Sequence, residues 1–319
     1  MRGRFWFSGC AALAAMGITL STASAQIAYG VNAEGNLFSF DLASPSNVTT
    51  VGPVGFVPEG IDFRPGTSTL YALDVGPNTT QLYTVDIATG ASTPVGAGFA
   101  SSGPGYNLTG NSSYGFDFNP TTLQADNSMR IRLVATNNTN LRLNSATGQI
   151  ALVDGNLAFG NGSAPFISGA AYINNQPAMG GTTALYDMDS RNNELLLQNP
   201  PNDGVVSTVG PFGFGISNVQ AGIGFDIYTT PGDADPTIGG DAGWAVFKRP
   251  DAPIGGPLGA YLLYTVNLGT GATTNGALVG PAASPFDFDG GFAILPIIPE
   301  PSTAGLLAIT AAVMLRKRR

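Results

Sequence analysis

From about residue 27 to residue 295 the chain alternates short runs of β-branched, aromatic and aliphatic residues with clusters of Gly, Asn, Asp and Pro. No stretch in this body sustains the 3.6-residue period of an amphipathic helix. That punctuation predicts short strands joined by tight turns. Four patterns recur in fixed order. The first is Gly-x-Asp/Ala-apolar, at Gly60–Phe63, Gly115–Phe118, Gly169–Tyr172, Gly224–Ile227 and Gly291–Ile294, with glycine spacings of 55, 54, 55 and 67 residues. The second is an apolar run such as Leu70–Leu73, Ile131–Val134 or Trp244–Phe247. The third ends in Asp or Asn, as in Leu37–Asp41, Leu82–Asp86, Asn140–Asn144, Leu195–Asn199 and Leu263–Asn267. Three copies run on to Thr-Gly at Gly90, Gly148 and Gly271. There the Asp or Asn side chain can bond the turn backbone and Gly supplies a positive φ, which predicts a hairpin. The fourth ends in Val-Gly at Gly52, Gly96, Gly210 and Gly280, with Val153-Asp154 as a degenerate copy.

Four strands per unit at this period predict an all-β, five-bladed propeller. The N-terminal segment lacks the first pattern and the C-terminal segment supplies only that one. Residues 27–53 and about 288–295 therefore form one closing blade shared between the two ends, which covers two exposed sheet edges. The other blades are expected at 58–97, 112–155, 166–211 and 221–280. Two insertions, Thr229–Gly243 and Arg249–Gly259, fall in the last of them. A β-sandwich or β-solenoid is the competing architecture. A solenoid does not require the missing first strand to reappear at the far end.

Composition narrows the chemistry. The 319 residues include 44 Gly and 23 Pro, one Cys (Cys10) and no His. This removes a Ser-His-Asp triad, His-ligated zinc, thiolate clusters and an intrachain disulfide. All 21 acidic residues lie between Gln26 and Leu315, a stretch that keeps seven of the 13 basic residues and so carries −14. Nucleic acid and anionic lipid are therefore not expected partners.

The ends read as addresses. Arg2 and Arg4 precede an apolar run that closes on Ala23-Ser24-Ala25 before Gln26, which predicts a signal peptide over 1–25. At the other end, Pro299-Glu300-Pro301 is followed by an apolar run from Ala304 to Leu315 and by Arg316-Lys317-Arg318-Arg319. The run predicts a hydrophobic helix of about 18 Å, shorter than the ~30 Å bilayer core, with the basic tail on the cytoplasmic side. The layout over 297–319 resembles the PEP-CTERM sorting signal of exopolysaccharide-producing Gram-negative bacteria. That resemblance implies transient membrane anchoring and processing by an exosortase-type enzyme. The body between, 26–296, resembles an uncharacterised family of secreted bacterial domains in Leu70-Tyr71-Ala72-Leu73, Gly60-Ile61-Asp62-Phe63-Arg64-Pro65 and Gly115-Phe116-Asp117-Phe118-Asn119-Pro120. That likeness implies a propeller-like fold and no assigned activity.

Candidate sites are few. If the Gly-x-Asp strands line a central channel, Asp62, Asp117 and Asp226 face one another there, with Ala171 and Ala293 completing the ring. Such carboxylates attract a cation or raise each other's pKa, or else bond backbone amides or Arg130, Arg132 and Arg142. Asp233, Asp235 and Asp241 are a second candidate set for Ca2+, in an oxygen-rich loop without EF-hand spacing. A solvated acidic loop is the plainer reading of them, and no cofactor is otherwise expected. Six Asn-x-Ser/Thr triplets begin at Asn47, Asn78, Asn107, Asn111, Asn137 and Asn161, and read as chance. The expectation is an exported, non-catalytic binding or scaffolding module of the cell surface or biofilm matrix, with extracellular polysaccharide or surface proteins as partners. The alternative is a propeller hydrolase or lyase acting on polysaccharide, for which two carboxylates suffice.

Overall fold

A computed structural model of the protein describes residues 26–110, 113–175, 182–214, 224–230, 238–248, 260–281 and 288–296. The leader (1–25), the sorting segment (297–319), Asp233 and Asp235 lie outside the described residues, as do residues 231–237 of the first insertion and all of the second. Among the described residues, no helix is long and apolar enough to cross a membrane.

Five antiparallel sheets form the five blades of a propeller. From the axis outward, blade 2 is Gly60–Phe63, Leu70–Val75, Thr79–Val85 and Ser92–Ala100. Blade 3 is Tyr114–Phe118, Arg130–Ala135, Asn140–Asn144 and Ile150–Val153. Blade 4 is Ile167–Tyr172, Leu185–Asp189, Glu194–Gln198 and Val205–Pro211, and blade 5 is Gly224–Thr229, Asp241–Lys248, Tyr261–Val266 and Thr273–Leu278. Blade 1 is the shared one. Its inner strand, Phe288–Ile294, pairs with Ile27–Asn32 in the register Tyr29↔Ala293, followed by Asn36–Asp41 and Thr49–Pro53. Gln26 adds a side-chain bond to the carbonyl of Leu295, and the Leu295 amide donates to Ile27. The expected closure is therefore present, as are blade limits within a few residues of those expected.

Two features depart from the repeat. Blade 4 gains a fifth, outermost strand, Ala158–Phe159, which runs parallel to Val205–Val206 and comes from the segment linking blades 3 and 4. Two residues without a turn signature leave no trace in a hydrophobic pattern. In blade 5, Asp241–Gly243 belongs to the second strand rather than to an insertion.

The inner strands touch one another in the ring order 1-2-3-4-5-1. Five apolar clusters lie one in each seam between neighbouring blades. The outer rim is tied by backbone. The Asp86–Gly90 turn of blade 2 is closed by Gly90 N to Asp86 O at 2.7 Å, with Asp86 Oδ1 accepting from Ala88. Gly90, at φ +80°, rests on the end of the outer strand of blade 1, where a Cβ would sit 2.4 Å from the Gly52 carbonyl oxygen. The same glycine-against-glycine docking recurs at Gly96–Gly148, Gly155–Gly204 and Gly210–Gly271. In the seam between blades 5 and 1 the Gly280 amide donates to Pro45 at 3.0 Å. The Thr-Gly and Val-Gly patterns are thus two halves of one inter-blade joint.

Candidate functional site

Each inner strand carries its glycine toward one end of the axis and its Asp or Ala toward the other. At the glycine end, Gly60, Gly115, Gly169, Gly224 and Gly291 line a pocket of ≈ 260 Å3 including its open mouth. Glycine is required there by proximity: a Cβ on Gly60 would lie 2.4 Å from Phe116 Cβ, and one on Gly115 would lie 2.6 Å from the Ala170 amide nitrogen. At the other end, Asp62, Asp117, Asn175, Ile294 and Pro296 border a pocket of ≈ 250 Å3, again with its mouth. Both fall below the ~300–1,000 Å3 of small-molecule sites.

Asp62, Asp117 and Asp226 meet on this axis, each presenting an oxygen within 4.8 Å of the others. They are 7%, 4% and 3% exposed. Each reaches across a seam to an amide of the next inner strand. Phe118 N donates to Asp62 Oδ2 at 2.7 Å, Tyr172 N to Asp117 Oδ1 at 3.1 Å, and Ile294 N to Asp226 Oδ2 at 2.6 Å. Where the preceding blade has Ala171 or Ala293, the Asp of the receiving blade serves its own strand. Ile227 N donates to Asp226 Oδ1 at 2.6 Å, and the Phe63 amide supports Asp62. The amide three residues beyond each repeat glycine (Phe63, Phe118, Tyr172, Ile227, Ile294) therefore finds a carboxylate oxygen, and three Asp serve all five strands. Buried amides otherwise cost about 1–3 kcal/mol each when unmet.

Burial raises the pKa of all three groups. Asp62 stands well above the usual carboxylate range, through desolvation and then the charge of Asp226. Asp117 does so through desolvation and then Asp62 and Asp226. Asp226 rises to about 7, held down by its two amide donors. Three oxygens this close can share protons or hold a hard cation. Ca2+ takes six to eight oxygens, and the amides already occupy acceptor positions on each carboxylate.

The expected convergence of these residues is thus observed, and of the two bonding modes expected for them the backbone amides hold. The arginines go elsewhere. Arg132, 1% exposed, donates to Tyr172 Oη (3.2 Å), Asn140 Oδ1 (2.6 Å), Asp154 Oδ2 (2.6 Å) and Asn202 Oδ1 (2.9 Å). Arg142 grips Asp154 with two bonds of 2.7 and 2.6 Å. Asp154 occupies the degenerate Val-Gly position, and that irregularity was the sequence signal for this network. Arg130 is not paired with the channel carboxylates by any described hydrogen bond or ion pair.

Asp241 is not in a solvated loop. It opens the second strand of blade 5, accepts from Thr229 Oγ1 at 2.5 Å and from the Asn174 amide at 3.2 Å, and so is not brought to the axis. Of the Asn-x-Ser/Thr triplets, those at Asn107, Asn137 and Asn161 are turn chemistry rather than chance. Their Oδ1 atoms accept from the amide two residues on, at 2.9, 3.2 and 2.9 Å.

Residues 36–287 match the family described as a domain of unknown function, DUF4394. The chain belongs to that family. No curated protein matches this DUF4394 chain. Among solved structures it is similar to a structural-genomics protein of unknown function from Bacteroides thetaiotaomicron, at 16% identity and TM-score 0.44 over 86% of this chain and 68% of that one. An engineered GH43 glycoside hydrolase aligns at 12% identity and TM-score 0.46, over 87% of this chain and 54% of that one. A chain of a nidogen/laminin complex aligns at 10% identity and TM-score 0.42, over 85% and 98%.

Proposed function

We propose that this DUF4394 protein is an exported, non-catalytic binding or scaffolding module of the cell surface or extracellular polymer, sorted by its C-terminal segment. The observation that supports this most is the use made of the axial carboxylates. Asp62, Asp117 and Asp226 are buried and bonded to the amides that join blade to blade, so they serve the ring rather than a substrate. A glycosidase reading has one point in its favour, a carboxyl set with raised pKa. Yet each of these carboxylates is at most 7% exposed and already accepts a backbone amide from the next inner strand.

The address rests on the leader ending at Ala25 and on Pro299-Glu300-Pro301 with its basic tail. An exosortase-type enzyme is the processing partner, and extracellular polysaccharide or a surface protein the ligand. Mass spectrometry of the mature surface protein is expected to find an N-terminus at Gln26 and no Arg319. An intact Arg319 on exported protein overturns the sorting reading. Turnover of any member of a polysaccharide panel, abolished by Asp117→Asn, overturns the non-catalytic one.

A further inference from the structure

The seam between blades 3 and 4 holds a titratable group that none of the functions above employs. Asp187, in the second strand of blade 4, is 0% exposed, and neither of its carboxyl oxygens has a hydrogen-bond partner. Its cross-strand neighbours Ala170 and Leu196 both belong to the apolar cluster of this seam. On the same inner strand, two residues along from Ala170, Tyr172 takes a hydrogen bond across the seam from the guanidinium of Arg132. Four of its five N–H groups are engaged by Tyr172, Asn140, Asp154 and Asn202, which leaves one unspent.

The charge count of the seam is unbalanced. Arg132 and Arg142 share a single carboxylate, Asp154. Asp117, on the row that also carries Arg132 and Arg142, is committed to the Tyr172 amide and the axial set. Asp189, two residues along from Asp187, is spent on the amides of Phe166, Arg191 and Asn192, and Glu194 pairs with it across the strands. The outer strand of blade 4, Val205–Pro211, presents no titratable group. Among the described residues, Asp187 is thus the one buried carboxyl of the seam that can become a second counter-ion.

We propose that Asp187 and Arg132 form a proton-gated latch across the seam between blades 3 and 4. With its proton on, Asp187 is one more neutral side chain in an apolar seam. With the proton lost, its carboxylate competes with Tyr172 and Asn202 for the guanidinium, and the polar contacts joining the blades rearrange. Burial holds the Asp187 carboxyl at about 8, against the opposing pull of Arg132. The exchange therefore falls near neutral to mildly alkaline pH.

The test is an NMR titration of the full chain, 13C-labelled at Asp carboxyls and 15N-labelled at Arg. The carboxyl resonance missing from Asp187→Asn is expected to titrate with a midpoint near pH 8. The Arg132 side-chain N–H resonance is expected to move with the same midpoint in the wild type and to stay fixed in Asp187→Asn. Hydrogen exchange on the wild type alone gives a second arm. Corrected for intrinsic rates, amides flanking Arg132 and Tyr172 should lose protection by up to about tenfold per pH unit between pH 6 and 8. Amides in the seam between blades 1 and 2, which has no buried arginine among the described residues, report the part of that loss that comes from the axial carboxylates. An Asp187 midpoint below pH 6, a stationary Arg132 resonance, or equal loss of protection in both seams overturns the latch.

Discussion

The seam between blades 1 and 2 and the seam between blades 3 and 4 close the same ring by different means. The first uses the repeat alone. Tyr29, Ile61, Phe63 and Leu70 pack between the blades and Gly90 docks on Gly52, while at the axis blade 1 offers Ala293 and no carboxylate to reach across. The second keeps the glycine dock, now Gly204 on Gly155, adds the axial bond from Tyr172 N to Asp117, and inserts a buried guanidinium with Asp154, Asn140 and Asn202 around it. Repetition fixes where a blade sits, and departures from it fix which blade sits there. A propeller of near-identical units needs such a difference to hold its register, since apolar seams of similar shape can exchange partners at low cost.

The broadest way to separate the two kinds of seam is pH. Asp62, Asp117, Asp187 and Asp226 all have folded-state pKa values raised above the unfolded carboxylate value near 3.8, with Asp226 at about 7 and Asp187 at about 8. The folded state then binds more protons than the unfolded one. Stability is full below about pH 4 and falls as pH rises toward 8, each group shifting the folding equilibrium by up to tenfold per unit. Denaturant midpoints measured from pH 4 to pH 9 should decline steadily, and a maximum at pH 8 would contradict the assignment. Next in size is Asp154→Ala. It strands Arg132 in a buried seam and is expected to cost about 3–5 kcal/mol by chemical denaturation. A loss below about 1 kcal/mol would mean that the charged seam contributes no more than the apolar ones.

Gly90→Ala probes the regular seam. Its φ of +80° and the 2.4 Å approach to the Gly52 carbonyl leave no room for a methyl group. A loss of about 1–3 kcal/mol is expected, with the unfolding midpoint as the readout. This joint also shows how far the sequence could be read. Thr89-Gly90 and Val51-Gly52 were recognisable as a turn and a strand end, because each pattern is local and repeated. That they fit one another depended on blade order, which the ring supplied. The convergence of Asp62, Asp117 and Asp226 was legible by the same route, since equivalent positions of a closed ring must meet at its axis. The Arg132 network was not. Asp154 is marked as a break in the Val-Gly pattern, but nothing local ties it to Arg132, 22 residues back, or Arg132 to Asn202, 70 residues on. Asp187 sits in an ordinary strand with nothing local to mark it.

The smallest expected effects discriminate within the axial set itself. Asp226 accepts from two amides, Ile227 and Ile294, and the second belongs to the strand that closes the ring. Asp226→Asn keeps one acceptor oxygen and places an NH2 group against a backbone N–H, so one amide loses its partner at about 1–3 kcal/mol. Asp117 accepts from the Tyr172 amide alone. An Asn there can turn its oxygen to that amide and offer its NH2 group to the neighbouring carboxylates. The expected change is within about 0.5 kcal/mol near neutral pH, and the variant should become the more stable protein as pH rises, because one buried acid no longer ionises. Denaturation of both variants at pH 5 and pH 8 decides the matter. Equal losses would show that the three carboxylates act as one shared charge, whereas unequal ones would show that each is valued by the number of strands it holds.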